Sequence, residues 1–309
     1  MKVWITGARG FIGQHLSRYI QQLSHDVAGI GHGHWPESER RYAGVNQWLN
    51  GDISQQNLDV LLQQHGIPDA IFHLAGGSSV GPSLALPLED MHRSVSSIGD
   101  LLEWVRLRSP KTTIVMASSA AVYGAGHTSA IHEDAISTPY SPYGFHKRMA
   151  ELLMESYSRS FGLKVAVVRL FSVYGPGLRK QLLWDACSRL SNNVDAIQFG
   201  GSGNELRDWI HVEDAAALLW KAMEHATSPC AIFNGGSGIA TSVHDITKIL
   251  CDEWSKGAIT PSFSGKSRVG DPASLVADTS RLQRIGFKAA HEWSKGIVEY
   301  VEWFKGAQV

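Results

Sequence analysis

Residues 6–13 read TGARGFIG, between the apolar run KVWIT (2–6) and the helix-period stretch FIGQHLSRYIQQL (11–23). Gly7, Gly10 and Gly13 follow a G-x-x-G-x-x-G spacing. Glycines at a strand-to-helix junction allow a tight turn and close backbone approach to a pyrophosphate, which the amino-terminal N–H groups of the helix then hold. Arg9, Phe11 and Ile12 fill the same loop, so Gly7 to Gly13 form the expected phosphate end of a dinucleotide site. A plain tight turn is the competing reading, and the sequence around the loop decides against it.

Outward from this loop, short Val/Ile/Ala-rich runs alternate with longer helical patterns. DVAGI (26–30), DAIFHLA (69–75), TTIVMAS (112–118) and KVAVVRL (164–170) read as strands. QNLDVLLQQHG (56–66) and YGFHKRMAELLMESYSRSFG (143–162) read as helices. Near-continuous apolar strands separated by helices predict a parallel sheet covered on both faces. The expected fold is α/β, a doubly wound, mostly parallel, Rossmann-like sheet with ligands beyond the carboxyl ends of its strands. After residue 176 the rhythm changes to Gly- and Arg-containing loops, GPGLRKQ, GGSGNELRD and GKSRVGDP, between shorter helices. Residues 1–176 are therefore expected to form the dinucleotide-binding domain and 177–309 mainly a smaller substrate-binding lobe. Part of 209–240, near CAIFNGG (230–236), is expected to rejoin the sheet.

Composition narrows the function. The 309 residues carry a formal charge of −1, which gives no basic field for nucleic acid or anionic lipid. No apolar run approaches the roughly 18 residues needed to span a bilayer, and the amino terminus lacks signal-peptide anatomy. A cytoplasmic enzyme with no membrane or nucleic-acid partner is expected. Cys187, Cys230 and Cys251 have no metal or redox spacing and read as small hydrophobes. HGHW sets two histidines two apart but offers no third ligand nearby, so no metal site is expected.

The end of the second strand bears on the cofactor. A carboxylate there would hold the adenosine ribose hydroxyls and select NAD. Here VAGIGHGHW puts Gly31 and His32 at that place, with Arg9, Arg40 and Arg41 as cations within reach of a 2′-phosphate. That pattern favours NADP(H) over NAD. Asp52 of NGDIS suits either the adenine amino group or a helix cap, for which Ser54 competes.

SPYGFHK (141–147) sets Tyr143 and Lys147 one helix turn apart, and MASSAAVYG (116–124) brings Ser119 to the end of the fifth strand. A phenol with an ordinary pKa of about 10 is a poor base at neutral pH. A neighbouring ammonium and an oxidised nicotinamide both favour the phenolate. Tyr143 is thus the expected proton shuttle, Lys147 its tuner and a ligand of the nicotinamide ribose, and Ser119 the holder of the substrate oxygen.

With these blocks in order, the chain resembles the extended short-chain dehydrogenase/reductases of the NAD-dependent epimerase/dehydratase family, which act on nucleotide sugars. TGARGFIG, GDI, HLAG, SSAAVYG, YGFHK, RLFSVYGPG, RDWIHVEDAA, FNGGSG and RVGD carry the resemblance over nearly the whole chain. It implies that Ile53, Leu74, Ala75 and Gly76 line the cofactor and that Ser78 and Ser172 face the sugar. It further implies that Arg207 and Arg268 clamp the substrate diphosphate, with Asp271 near the nucleoside ribose, and that a homodimer forms through a helix bundle. Guanidinium forks suit phosphate oxygens. Ser172 and Ser96 stand where the family usually carries Asn.

The reaction is read from the two residues after Ser119. Family dehydratases need an Asp-Glu pair there, and members that epimerise beside a carbonyl use a Cys. Ala120 and Ala121 supply neither. Redox at one carbon remains: reduction of a nucleotide-linked 4-keto sugar by NADPH, or a 4-epimerase of the UDP-glucose type with tightly held NAD. The sequence leans to the reductase, although HLAGGSSVGPS (73–83) resembles the epimerase version of its segment. A member that binds cofactor without turnover is the third reading, against which the retained Tyr143 and Lys147 speak.

Overall fold

The structure, a computed structural model, describes residues 1–192, 195–266 and 272–307. Its strands are β1 (Lys2–Thr6), β2 (Asp26–Gly31), β3 (Gln47–Asn50), β4 (Ala70–His73), β5 (Thr113–Ser119), β6 (Val165–Leu170), β7 (Ser172–Tyr174), β8 (Ile197–Phe199), β9 (Leu206–His211) and β10 (Ala231–Gly235), followed by β11 (Ala240–Ser242), β12 (Pro261–Phe263) and β13 (Ser274–Leu275). Among the described residues, seven strands form one parallel sheet in the order β10-β6-β5-β4-β1-β2-β3. β4 and β6 are buried along their whole length, which is why their sequences show no alternation of apolar and polar residues.

Both faces of the sheet are covered. On one, helices Phe11–Gln22 and Val212–Glu224 pack Leu16, Ile20, Leu218 and Leu219 against Val3, Ile5 and Val168. On the other, helices Gln55–His65, Ser97–Arg108 and Pro142–Phe161 pack Leu58, Leu61, Leu101, Trp104 and Met154. This is the doubly wound α/β architecture expected of the sequence. The strand order reverses between β1, whose successor is β2, and β4 on its other side. A crevice therefore opens above the carboxyl ends of β1 and β4, directly over the glycine loop.

A second sheet flanks this crevice. β9 is its centre, paired in parallel with β7 and β13 and antiparallel with β11. β8 pairs with β12, and Leu183, Cys187, Ile246, Leu250, Ile297 and Tyr300 form the core of this lobe. The GGSGNELRD segment, expected to be a loop, becomes strand from Leu206 onward, because three partners of two or three residues each pair with it. Strand β10 leaves the lobe and adds to β6 in the central sheet. No helix among the described residues is long and apolar enough to cross a membrane.

Candidate active site

A cleft of about 1500 Å³ runs from the glycine loop to the second sheet. At its floor Gly7 takes φ +73° and donates its N–H to the Ile30 carbonyl at 2.8 Å. Gly10 N–H bonds the Gly7 carbonyl at 2.9 Å and opens helix Phe11–Gln22 without a capping side chain. Gly13 packs so tightly on Gly7 and Ala8 that no Cβ would fit. Uncapped N–H groups in a cradle closed to side chains suit a pyrophosphate, so the residues fit a dinucleotide. Phe11, Ile12, Ile53, Leu74, Ala75 and Gly76 line the same cleft. The Ala75 N–H is held by Thr6 Oγ1 at 3.2 Å.

At the adenosine end, a Cβ on Gly31 would lie 3.0 Å from the Trp48 indole, so that ring occupies the place a β2 carboxylate would take. Trp48 Nε1 donates to the Gly33 carbonyl at 3.1 Å, and the Arg9 guanidinium lies against Gly33. An anion is nevertheless present: Asp52 Oδ1 stands 3.2 Å from His32 Nε2, both exposed on the cleft wall. Asp52 is not the helix cap. Ser54 takes that role, accepting the Asn57 N–H at 3.3 Å.

At the reacting end, β5 delivers Ser119 as its last residue. Helix Pro142–Phe161 begins beside it because Pro142 fixes its first turn and Ser141 Oγ accepts the Gly144 N–H at 3.3 Å. The Tyr143 N–H is itself held by Ser83 Oγ at 3.1 Å. The Tyr143 phenol hydrogen-bonds the Ser119 side chain. Burial pushes the phenol's pKa up, the Ser119 bond opposes this, and the charge of Asp90 adds to it. Lys147 is 7% exposed, donates to the Ala117 carbonyl at 3.0 Å and lies 6.0 Å from the centre of the Tyr143 ring. Burial pushes its pKa down to about 8, against the pull of Asp90 and Glu151 and with the push of Lys180. Ala120 and Ala121 also line the cleft and bring no acid, base or thiol to it.

Ser172, Arg207 and Trp209 of the second sheet line the other wall, and Ser78, in the loop after β4, lines the same cleft. Arg207 Nη1 is anchored on the Leu206 and Pro272 carbonyls at 2.8 and 2.7 Å. Arg268 and Asp271 lie outside the described residues. The sequence reading missed Lys180, a cleft-lining cation whose pKa burial lowers, and Gln181 beside it at φ +66°. It also missed Ser94, whose Oγ holds the Gly77 N–H at 2.9 Å, while Ser96, which it singled out, lines the cleft and lies 3.4 Å from His92. Gln181 carries no sequence signal, since an αL glutamine is set by tertiary packing.

The geometry agrees with what comparisons find. A family model described as NAD dependent epimerase/dehydratase family matches residues 3–236. A UDP-glucose 4-epimerase of Azospirillum brasilense is 30% identical over 317 residues, covering 96% of this chain and 90% of its own. MoeE5 in complex with UDP-glucuronic acid and NAD superposes with a TM-score of 0.87 at 28% identity, covering 99% of this chain and 100% of MoeE5. The UDP-glucuronic acid 4-epimerase of Bacillus cereus, bound to UDP-glucuronic acid and NAD, does so with a TM-score of 0.87 at 26% identity, covering 99% and 100%.

Proposed function

This chain belongs to the NAD-dependent epimerase/dehydratase family, and within it we propose that it interconverts the C4 epimers of a UDP-linked hexose or hexuronate with NAD retained through the cycle. Its relatives and structural neighbours are NAD-dependent nucleotide-sugar enzymes, and the chain is an enzyme of that kind. The observation that carries the finer reading is the pairing of full-length 4-epimerase relatives with a reacting end holding only a hydroxyl, a phenol and an ammonium. Of the two reactions read from the sequence, the second is therefore better supported than the NADPH-dependent reduction. NAD also replaces the NADP(H) preference: both of these neighbours hold NAD, and the Asp52 carboxylate beside His32 would repel a 2′-phosphate at the edge where Arg9 was expected to attract one.

When bound, NAD supplies the acceptor and donor of hydride at C4. Tyr143 takes the proton of the C4 hydroxyl as the carbonyl forms and returns it as the epimer is made. Ser119 hydrogen-bonds the same oxygen and keeps it against the phenol. Lys147 sets the phenol's acidity. Gly7, Gly10 and Gly13 hold the pyrophosphate, and Lys180 and Arg207 give the substrate's anionic end its counter-charge. On the outer face of the catalytic helix, Phe145, Met149 and Leu152 recur at helical spacing and are exposed, as are Leu84, Leu86 and Leu88 on the adjoining segment. We assign this apolar stripe to a homodimer interface.

The test is to denature the purified protein, identify the released nucleotide by mass, and incubate the native enzyme with UDP-glucose and with UDP-glucuronate. Released NAD and a mixture of C4 epimers are expected. Tyr143→Phe should abolish interconversion while NAD remains bound. An empty protein that oxidises NADPH with a 4-keto nucleotide sugar would reinstate the reductase.

A further inference from the structure

Beneath the active site lies a buried pair to which the proposed reaction assigns no role. Asp90, in helix Pro87–Met91, and His146, in the catalytic helix between Tyr143 and Lys147, meet at 2.6 Å between Oδ2 and Nδ1. Their side chains are 6% and 12% exposed. The other carboxylate oxygen, Oδ1, lies under Gly77, where no Cβ would fit. Lys147 Nζ lies against the preceding residue, within 3.6 Å of where a Cβ on Gly76 would stand. Carboxylate and ammonium thus meet one two-glycine turn, pinned at Gly77 N–H by Ser94.

The charges around Lys147 single out Asp90. Glu151, one turn further along the same helix, is already spoken for: Arg169 grips it at 3.0 and 2.8 Å, Ser118 donates to it at 2.6 Å, and Arg148 reaches it at 3.0 Å. His73, at the end of β4, is fully buried with its pKa pushed down to about 3, so it stays neutral. Lys180 is cationic and opposes the charge of Lys147. Tyr143 is anionic only in its base form, before it takes the C4 hydroxyl proton. Asp90 is left as the anion whose field reaches the pair without being consumed by a guanidinium.

We propose that Asp90, oriented by His146, is a positioning residue that holds Lys147 in its charged form and so sets the pH range in which Tyr143 works. This rests on the assignment of Tyr143 and Lys147 as the reacting pair. A fixed negative charge raises the pKa of the ammonium and that of the phenol together. Its removal therefore moves both limbs of a bell-shaped profile in the same, acid, direction. Loosened packing lowers the height of a bell without moving it.

Two measurements on the NAD-loaded full chain test this. One is the pH dependence of kcat with UDP-glucose and UDP-glucuronate. The other is ultraviolet difference titration of the Tyr143 phenol against Tyr143→Phe, repeated without NAD. In Asp90→Asn, which keeps the size of the side chain, both limbs and the phenol titration are expected to move acidward by about one pH unit. His146→Gln, which can still donate to Asp90, should leave them in place. Limbs and titration that stay put in Asp90→Asn, whatever the rate, overturn the proposal. Should that variant not fold, Asp90→Ser takes its place: it too removes the negative charge, so the phenol titration should move the same way, and an unmoved one overturns the idea. A phenol titration that moves in a chain that turns over neither sugar sustains the proposal and refutes the epimerase reading instead.

Discussion

Tyr143 is a weak base until its surroundings act on it. Buried in the cleft, its phenol is harder to ionise than free tyrosine, and only the Ser119 hydrogen bond works the other way. In the proposed reaction the Lys147 ammonium, 6.0 Å from the ring centre, is the further group assigned to favour the phenolate. Replacing Lys147 with Met should cut kcat at neutral pH by roughly 10²–10⁴-fold. The residual rate should climb as pH rises, because the lost ammonium leaves the phenol to ionise only in alkali. A pH–rate profile checks this, and its alkaline displacement is opposite in sign to that expected of Asp90→Asn. These three residues were legible in the sequence because one helix turn fixes the spacing of Tyr143 and Lys147, and a strand end supplies Ser119. Asp90 was not legible. It stands 56 residues before His146 and meets it only because helix Pro87–Met91 packs on the catalytic helix.

Elements with their own stop and start signals were read almost to the residue. The catalytic helix was expected from 143 and begins at Pro142, since Ser-Pro is both cap and first turn. The central strands are apolar runs bounded by glycine or polar residues, and they need no partner to be recognised. β7, β11 and β13 are different. Two or three residues long, they are strands only because β9 lies beside them, and nothing local marks them. The same contrast yields a prediction for the helix start. Ser141→Ala removes the acceptor of the Gly144 N–H and should cost about 1 kcal/mol in chemical denaturation. Because the cap also fixes the entry of Tyr143, kcat should fall more than stability alone would explain. A loss of stability with kcat untouched would show that Ser83, holding the Tyr143 N–H, positions the phenol without the cap.

Across the whole molecule, buried histidines govern how the fold meets acid. Burial pushes His73 down to about 3 and His211, with the adjacent charge of His291, down to about 4. His73 is held by Thr6 through Nδ1 at 3.0 Å, and its Nε2 has no hydrogen-bond partner, so a proton there would be a buried, unpaired charge. In the unfolded chain both rings protonate near their ordinary pKa of about 6.5. The unfolded state therefore binds more protons as soon as pH falls below that value, and the stability present above it drains away until the folded pKa is reached. Each such histidine contributes a slope of about 1.4 kcal/mol per pH unit in this window. Carboxylates whose pKa the fold lowers, such as Asp26, Asp134 and Glu205, contribute only below about 4. Urea titrations at stepped pH should accordingly show stability falling between pH 6 and pH 4, above the range in which the carboxylates lowered by the fold titrate. His73→Asn, which cannot ionise, should lower that slope by about 1.4 kcal/mol per pH unit, and an unchanged slope would mean that the ring at the end of β4 is reached by water.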